Sequence, residues 1–174
     1  MTEKHYVAFD LETTGLHVER GHRIIEIGAI EIIGSKLGEE FHILIDTDAA
    51  LSMGAQSLHG IRREMLNGQP RREEALTKFQ KFIGNNILIA HNVKFDIGFL
   101  RYEYRLLGKF LLNRYECTLK LSRKFYPNLP NYKLETVARN VLACKTKMLA
   151  LHRALDDAKL TAEIWLKMKE TLND

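Results

Sequence analysis

A chain of 174 residues, 45% of them hydrophobic, is long enough to bury a core without disulfides or structural metals, and one domain over residues 1–174 is expected. Twenty-six Lys plus Arg against 22 Asp plus Glu leave a net charge of +4, which permits contact with phosphate backbones without requiring it. Cys117 and Cys144 lack Cys-x-x-Cys spacing, the N-terminus lacks an apolar signal run, and no stretch approaches the roughly 20 apolar residues of a membrane span, so thiol chemistry and membrane insertion are excluded and a cytoplasmic protein is expected.

The first half reads as strands. Tyr6 to Asp10 is short and apolar, and after a polar loop Ile24 to Ile33 forms a longer β-type run. Turn chemistry from Gly34 to Gly38 precedes a third run, Phe41 to Ile45, and the three predict an antiparallel meander. Ala75, Leu76, Phe79, Phe82 and Ile83 predict a helix over 71–83, with Pro70 as start signal and Gly84 as stop. Ile87 to Ala90 follows as a brief buried strand, then a helix from Phe95 to Leu107 that Gly108 ends. A last strand is expected around Tyr115 to Thr118, with shorter helices over 119–125 and 134–141 on either side of the turn region Pro127 to Pro130. The final helix, 154–172, carries Leu155, Ala158, Ala162, Trp165, Met168 and Leu172 as a core stripe. Strands first, then interleaved helices and strands, describe an α/β fold with a mixed sheet flanked by helices.

Three segments carry candidate chemistry. Asp10 and Glu12 stand two apart on a strand, so their side chains leave one face and could share an ion. An isolated Asp-x-Glu is ordinarily a solvated strand end, but Val7, Ala8 and Phe9 make this strand central, and ligands bind at the carboxyl ends of strands in α/β sheets. The second segment is His91-Asn92-Val93-Lys94-Phe95-Asp96, directly after a strand, where Asp96 meets the positive end of a helix dipole and Asn92 could serve as a plain cap. The third is His152-Arg153-Ala154-Leu155-Asp156-Asp157, with His152 ahead of the last helix and Asp157 in its first turns. Of the adjacent Asp156 and Asp157, one can point inward.

Together these supply four carboxylates and one histidine with no thiolate, an oxygen-rich donor set suited to Mg²⁺ or Mn²⁺. Two such ions suit phosphodiester hydrolysis, and a histidine is the natural acceptor of a proton from the attacking water. Lys94, Arg101, Arg153 and Lys159 are candidate phosphate contacts by proximity, although a solvated helix face is the simpler reading of each.

The ordered motifs Asp-x-Glu-Thr-Thr-Gly-Leu, His-Asn-x-x-Phe-Asp and His-x-x-x-x-Asp resemble the DEDDh 3′-to-5′ exonuclease family. Gly21 to Ala29, Leu58-His59-Gly60-Ile61 and Phe95 to Phe99 are similar to the nuclease domain of its proofreading branch, the epsilon subunits of bacterial DNA polymerase III. The resemblance covers nearly the whole chain. It implies a ribonuclease H-like fold with a five-stranded mixed sheet, release of nucleoside 5′-monophosphates from DNA 3′ ends, and two Mg²⁺ or Mn²⁺ ions per site. It implies Asp10, Glu12, Asp96 and Asp157 as metal-binding, His152 as general base, and Asp156 as a neighbour that is not a ligand. Substrate contacts would fall to Asp10, Glu12, Thr13, Leu16, His59, Asn92, Phe95 and Asp157, with Leu16 an apolar wedge against the terminal base. Two departures stand out: Gly54 occupies a position where the epsilon pattern has a glutamate, and the chain ends at Asp174 with no polymerase-binding tail. The alpha subunit of DNA polymerase III is therefore an implied partner whose stable association the ending argues against. The runner-up reading is an RNA 3′-end exoribonuclease of ribonuclease T or oligoribonuclease type, and a catalytically idle nucleic-acid-binding module is a third.

Overall fold

A computed structural model describes residues 5–142 and 152–173, with side chains to residue 170; Cys144 and the side chain of Leu172 lie outside the described residues. The strands are β1 (His5–Thr13), β2 (Ile24–Ile33), β3 (Lys36–Leu44), β4 (Ile87–Ala90) and β5 (Tyr115–Cys117). The helices are α1 (Met53–His59), α2 (Arg63–Leu66), α3 (Arg72–Ile83), α4 (Val93–Leu106), α5 (Thr118–Phe125), α6 (Leu134–Val141) and α7 (Ala154–Asn173). The sheet has five strands in the order β3-β2-β1-β4-β5, with β1 to β3 antiparallel and β4 and β5 parallel to β1, as expected for a mixed sheet.

Side-chain alternation along β1 divides the core in two. Val7, Phe9 and Leu11 face α3 and α4, where they meet Leu76, Phe79, Ile97 and Leu100. Tyr6 and Ala8 face the other way, with Ile30, Ile32 and Ile89, against Ala162 and Trp165 of α7. The Tyr6 and Trp165 rings lie 5.3 Å apart at 60°, a tilted geometry that aromatic pairs favour. Each fully buried aliphatic side chain contributes about 1.5–3 kcal/mol, so β1, apolar on both faces, is fixed from above and below.

Three local differences from the sequence reading matter for the site. β1 runs on to Thr13, so Glu12 lies on the strand itself, opposite Glu26. The β2–β3 turn needs only Gly34 and Ser35, because Gly34 adopts φ 62°, and β3 therefore begins at Lys36 rather than Phe41. No element is expected from the sequence between residues 46 and 70, yet α1 and α2 fold there. Ser52 caps α1 by accepting from the Ala55 N–H at 3.2 Å, while its Met53 and Leu58 are 84% and 52% exposed, so no core-facing apolar stripe announces this helix.

Candidate active site

Asp10 and Glu12 share the strand parity of Tyr6 and Ala8, which turns both carboxylates toward the α7 side at the carboxyl end of β1. Asp157, one turn into α7, meets them there: ligand oxygens of Asp10, Glu12 and Asp157 all lie within 4.8 Å of one another. Its neighbour Asp156 is exposed. Asp96 arrives from the first turn of α4 and is buried, close enough for its charge to act on Asp10.

Such crowding shows in the acidities. Burial, then the charges of Asp96, Asp157 and Glu12, push the Asp10 carboxyl well above its ordinary range. Burial and the nearby Asp157 raise Glu12 to about 9. Asp96 is raised to about 8, chiefly by burial, against backbone hydrogen bonds at Asp96 and Leu11. Asp157 is raised by burial, an effect countered by His152. The protein alone thus concentrates more negative charge than it neutralises, and a cation of hard-ligand preference fits that donor set.

His152 stands between two carboxylates, its Nδ1 3.5 Å from Asp157 Oδ2 and its Nε2 3.6 Å from Glu135 Oε1. Side-chain exposure of 40% leaves the imidazole open to solvent. A cavity of about 650 Å³ joins these groups: Asp10, Glu12, Asp96, His152 and Asp157 line it with Thr13, Leu16, Gly54, His59, Asn92 and Phe95. The metal, general-base and substrate residues implied by the resemblance therefore all border one space, whereas Lys94, Arg101, Arg153 and Lys159 do not line it.

The individual placements are informative. Leu16 is 71% exposed at the rim, on a turn held by Thr13 Oγ1 donating to Gly15 O at 2.8 Å and by Thr14 Oγ1 accepting from Arg23 N–H at 3.0 Å. A Cβ at Gly15 would sit 2.4 Å from the His22 ring, so glycine lets that ring pack on the turn. His59 is buried; its Nδ1 accepts from Ile61 N–H at 3.0 Å and its Nε2 lies 3.3 Å from Thr13 O, so it pins α1 to the end of β1. Asn92 adopts φ 66° and makes no side-chain capping bond, so its side chain is not the helix cap the sequence allowed for. His91 ties the site to its neighbours, with Nδ1 2.9 Å from Thr118 Oγ1 and Nε2 2.8 Å from Tyr132 O.

Among the proposed phosphate contacts, Arg153 is committed elsewhere. Its Nε donates to Glu26 Oε1 at 2.9 Å, and Lys159 pairs with Glu40 at 2.9 Å. Arg101 lies over the Tyr115 ring, while Lys94 is exposed. Glu26 and Glu135 were not singled out from the sequence; an acidic residue in phase with the inward-facing Ile30 and Ile32 was the available signal for Glu26. A second cavity, of about 560 Å³, contains none of the candidate residues, and among its charges Arg23 and Arg72 pair with Glu103 and Arg71 with Asp46 and Asp48.

Comparison with known proteins gives consistent results. A family model described as "Exonuclease" matches residues 7–165. The DNA polymerase III subunit epsilon of Aquifex aeolicus is 40% identical over 168 residues, covering 96% of this chain and 81% of that protein. The PolC-type DNA polymerase III of Clostridium perfringens is 39% identical over 172 residues, 97% of this chain, but the chain spans 12% of that protein's length. In fold, the chain superposes on exonuclease X in complex with 5′ overhanging duplex DNA at a TM-score of 0.78, with 24% identity and coverage of 97% and 93% of the two chains. The nuclease domain of 3′hExo, a DEDDh family member bound to rAMP, gives 0.80 at 20% identity, covering 98% and 94%. The five-stranded α/β architecture is the ribonuclease H-like one expected.

Proposed function

The chain belongs to the exonuclease family, and we propose on that footing that it removes nucleotides from DNA 3′ ends, releasing nucleoside 5′-monophosphates in proofreading or repair. One observation carries the proposal: Asp10, Glu12, Asp96, His152 and Asp157 come from three distant segments and border one cavity at the end of the central strand. A carboxylate cluster whose members are made harder to ionise by burial and mutual repulsion fits divalent cations, which relieve that repulsion. Asp10, Glu12 and Asp157 would hold one ion and Asp10 with Asp96 a second, Mg²⁺ or Mn²⁺, which would supply charge stabilisation to the phosphodiester.

The chain's own residues would do the rest. His152 would accept the proton of the attacking water, oriented by Glu135 3.6 Å from its Nε2. Leu16 would bear against the terminal base, since an exposed leucine at a cavity rim offers apolar area and two-sided access. Asn92 and Phe95 would shape the wall facing it, and His59 would present a carbon edge, as both its nitrogens are engaged. Residues 1–174 would act as one exonuclease domain in the cytoplasm. Relatives named as polymerase III subunits or PolC-type polymerases support DNA rather than RNA as substrate and make the polymerase III alpha subunit the partner to test.

The deciding experiment presents a 3′-mismatched DNA primer and a matched RNA oligomer to the protein and to Asp10→Ala, with Mg²⁺ and with Mn²⁺. Release of 5′-monophosphates from DNA, lost in Asp10→Ala, is expected; activity surviving in the variant would sink the assignment, and faster digestion of RNA would move it to the exoribonucleases. Truncation of His152 should slow the reaction by roughly 10² to 10⁴.

A further inference from the structure

The most heavily bonded buried carboxylate outside the acidic cluster is Glu26, with no exposed surface, on β2 directly opposite Glu12. Its Oε1 accepts from Arg153 Nε at 2.9 Å and Nη2 at 2.5 Å and lies 2.6 Å from His42 Nε2, while its Oε2 accepts from the Ala154 N–H at 3.0 Å. Burial would raise its pKa, but these bonds outweigh burial and hold the carboxyl below its ordinary range, so it carries its charge. A buried charge needs such partners; what is informative is where the partners lie. Two of them, Arg153 and the Ala154 amide, immediately follow His152.

Two residues along β2, the chain makes a second close contact with the same turn. A Cβ on Gly28 would fall 2.0 Å from Leu155 N and 2.2 Å from the Ala154 carbonyl carbon. The backbone entering α7 therefore rests on bare strand at Gly28 and is bonded at Glu26. Asp157 lies inside the helix, with its N–H donating to Arg153 O at 3.0 Å. His152 precedes the helix, and among the described residues its side chain pairs loosely with Asp157 and Glu135. What fixes its Cα is the residue after it.

We infer that Glu26 is a positioning residue for the exonuclease reaction: by clamping Arg153 and the Ala154 amide from the neighbouring strand, it sets where His152 enters the cavity. His42, on the edge strand β3, completes the clamp by occupying the remaining side of Oε1. The inference deepens the proposed function and rests on His152 acting there.

A double-mutant cycle tests it, with Glu26→Gln and His152→Ala made singly and together and assayed on a DNA oligomer. Gln keeps an acceptor for the Ala154 amide but sets an NH₂ group among donors. Glu26→Gln is expected to lower kcat roughly 10- to 100-fold, the scale of an ångström-sized misplacement, with KM within about 3-fold. In the His152→Ala background the same change should cost under about 3-fold, because groups acting through one another are non-additive. Arg153→Lys, which keeps the charge and loses the two-pronged contact, should reproduce the kcat loss and guards against a Glu26 variant that does not fold. An equal fold-loss in both backgrounds would overturn the inference and make Glu26 a fold-stability residue. Full activity in His152→Ala alone would instead remove the histidine from the proposed reaction, and the positioning role with it. Weakened Mg²⁺ binding in step with kcat, read by calorimetry, would also count against it by tracing the loss to Asp157.

Discussion

Replacing Asp10 by asparagine should stabilise the metal-free protein while abolishing its activity. Oxygens of Asp10, Glu12 and Asp157 lie within 4.8 Å of one another, and two unit charges at about that separation repel by roughly 3–4 kcal/mol at an effective dielectric of about 20. Protonation relieves part of this at neutral pH, since Glu12 is raised to about 9 and Asp96 to about 8. The net gain left for Asp10→Asn is therefore about 1–2 kcal/mol near pH 8, or a melting rise of roughly 3–6 °C for a chain of this size. The sign of the pH dependence follows from linkage. With a folded-state value near 9 against an ordinary 4.5, Glu12 binds its proton more tightly when folded. Its contribution to stability is complete below the lower value and is lost as pH rises toward the upper one. The advantage of the variant should accordingly grow from pH 6 to pH 8.5. Thermal melting in EDTA at both pH values, then with Mg²⁺, reads all of this. Mg²⁺ should raise wild type more than the variant, because a ligand stabilises only the state it binds. A variant that melts at or below wild type in EDTA at pH 8.5 would refute the electrostatic reasoning.

Three further outcomes follow from the same geometry. Gly28→Ala should destabilise by about 1–3 kcal/mol or more through overpacking, because its Cβ would overlap the α7 backbone; urea unfolding measures it, and an unchanged midpoint would show that α7 does not rest on β2. Leu16→Ala, at an exposed rim position, should leave stability within about 0.5 kcal/mol and raise KM for DNA several-fold, a split that steady-state kinetics with parallel melting would expose. EDTA should abolish cleavage, and either Mg²⁺ or Mn²⁺ should restore it; full activity in EDTA would exclude the assigned role of the carboxylates.

The sequence showed the strands and long helices because their burial is one- or two-sided and therefore periodic: Ile24–Ile33 and Ile87–Ala90 were delimited to the residue. It did not show α1, whose Met53 and Leu58 are exposed rather than packed in the core. The acidic residues were legible as types at intervals, and only the family resemblance implied their meeting, because it depends on β1 extending to Thr13 and on α7 entering against β2. Arg153 read as a surface cation for the same reason. Its partner lies 127 positions earlier in the chain, and nothing local distinguishes a guanidinium bound for a buried carboxylate from one bound for water. Glu26 did carry a signal, since a glutamate in phase with Ile30 and Ile32 must be compensated, yet that argument names no partner.

Glu26 also bears on why the cluster tolerates its own charge. Glu12 and Glu26 face each other across β1 and β2, and like charges directly opposite on a sheet destabilise it. Arg153 lies between the two effects: it bonds Glu26, and its charge lowers the pKa of Glu12 while that of Glu26 raises it. Arg153 thus offsets part of the Glu26 charge that Glu12 feels. The negative charge left uncompensated is then the part that faces the cavity, on Asp10, Glu12 and Asp157. A buried ion pair adds little to stability by itself. Here its effect is to confine repulsion to the place where a cation relieves it, while its arginine holds the histidine at the edge of that place.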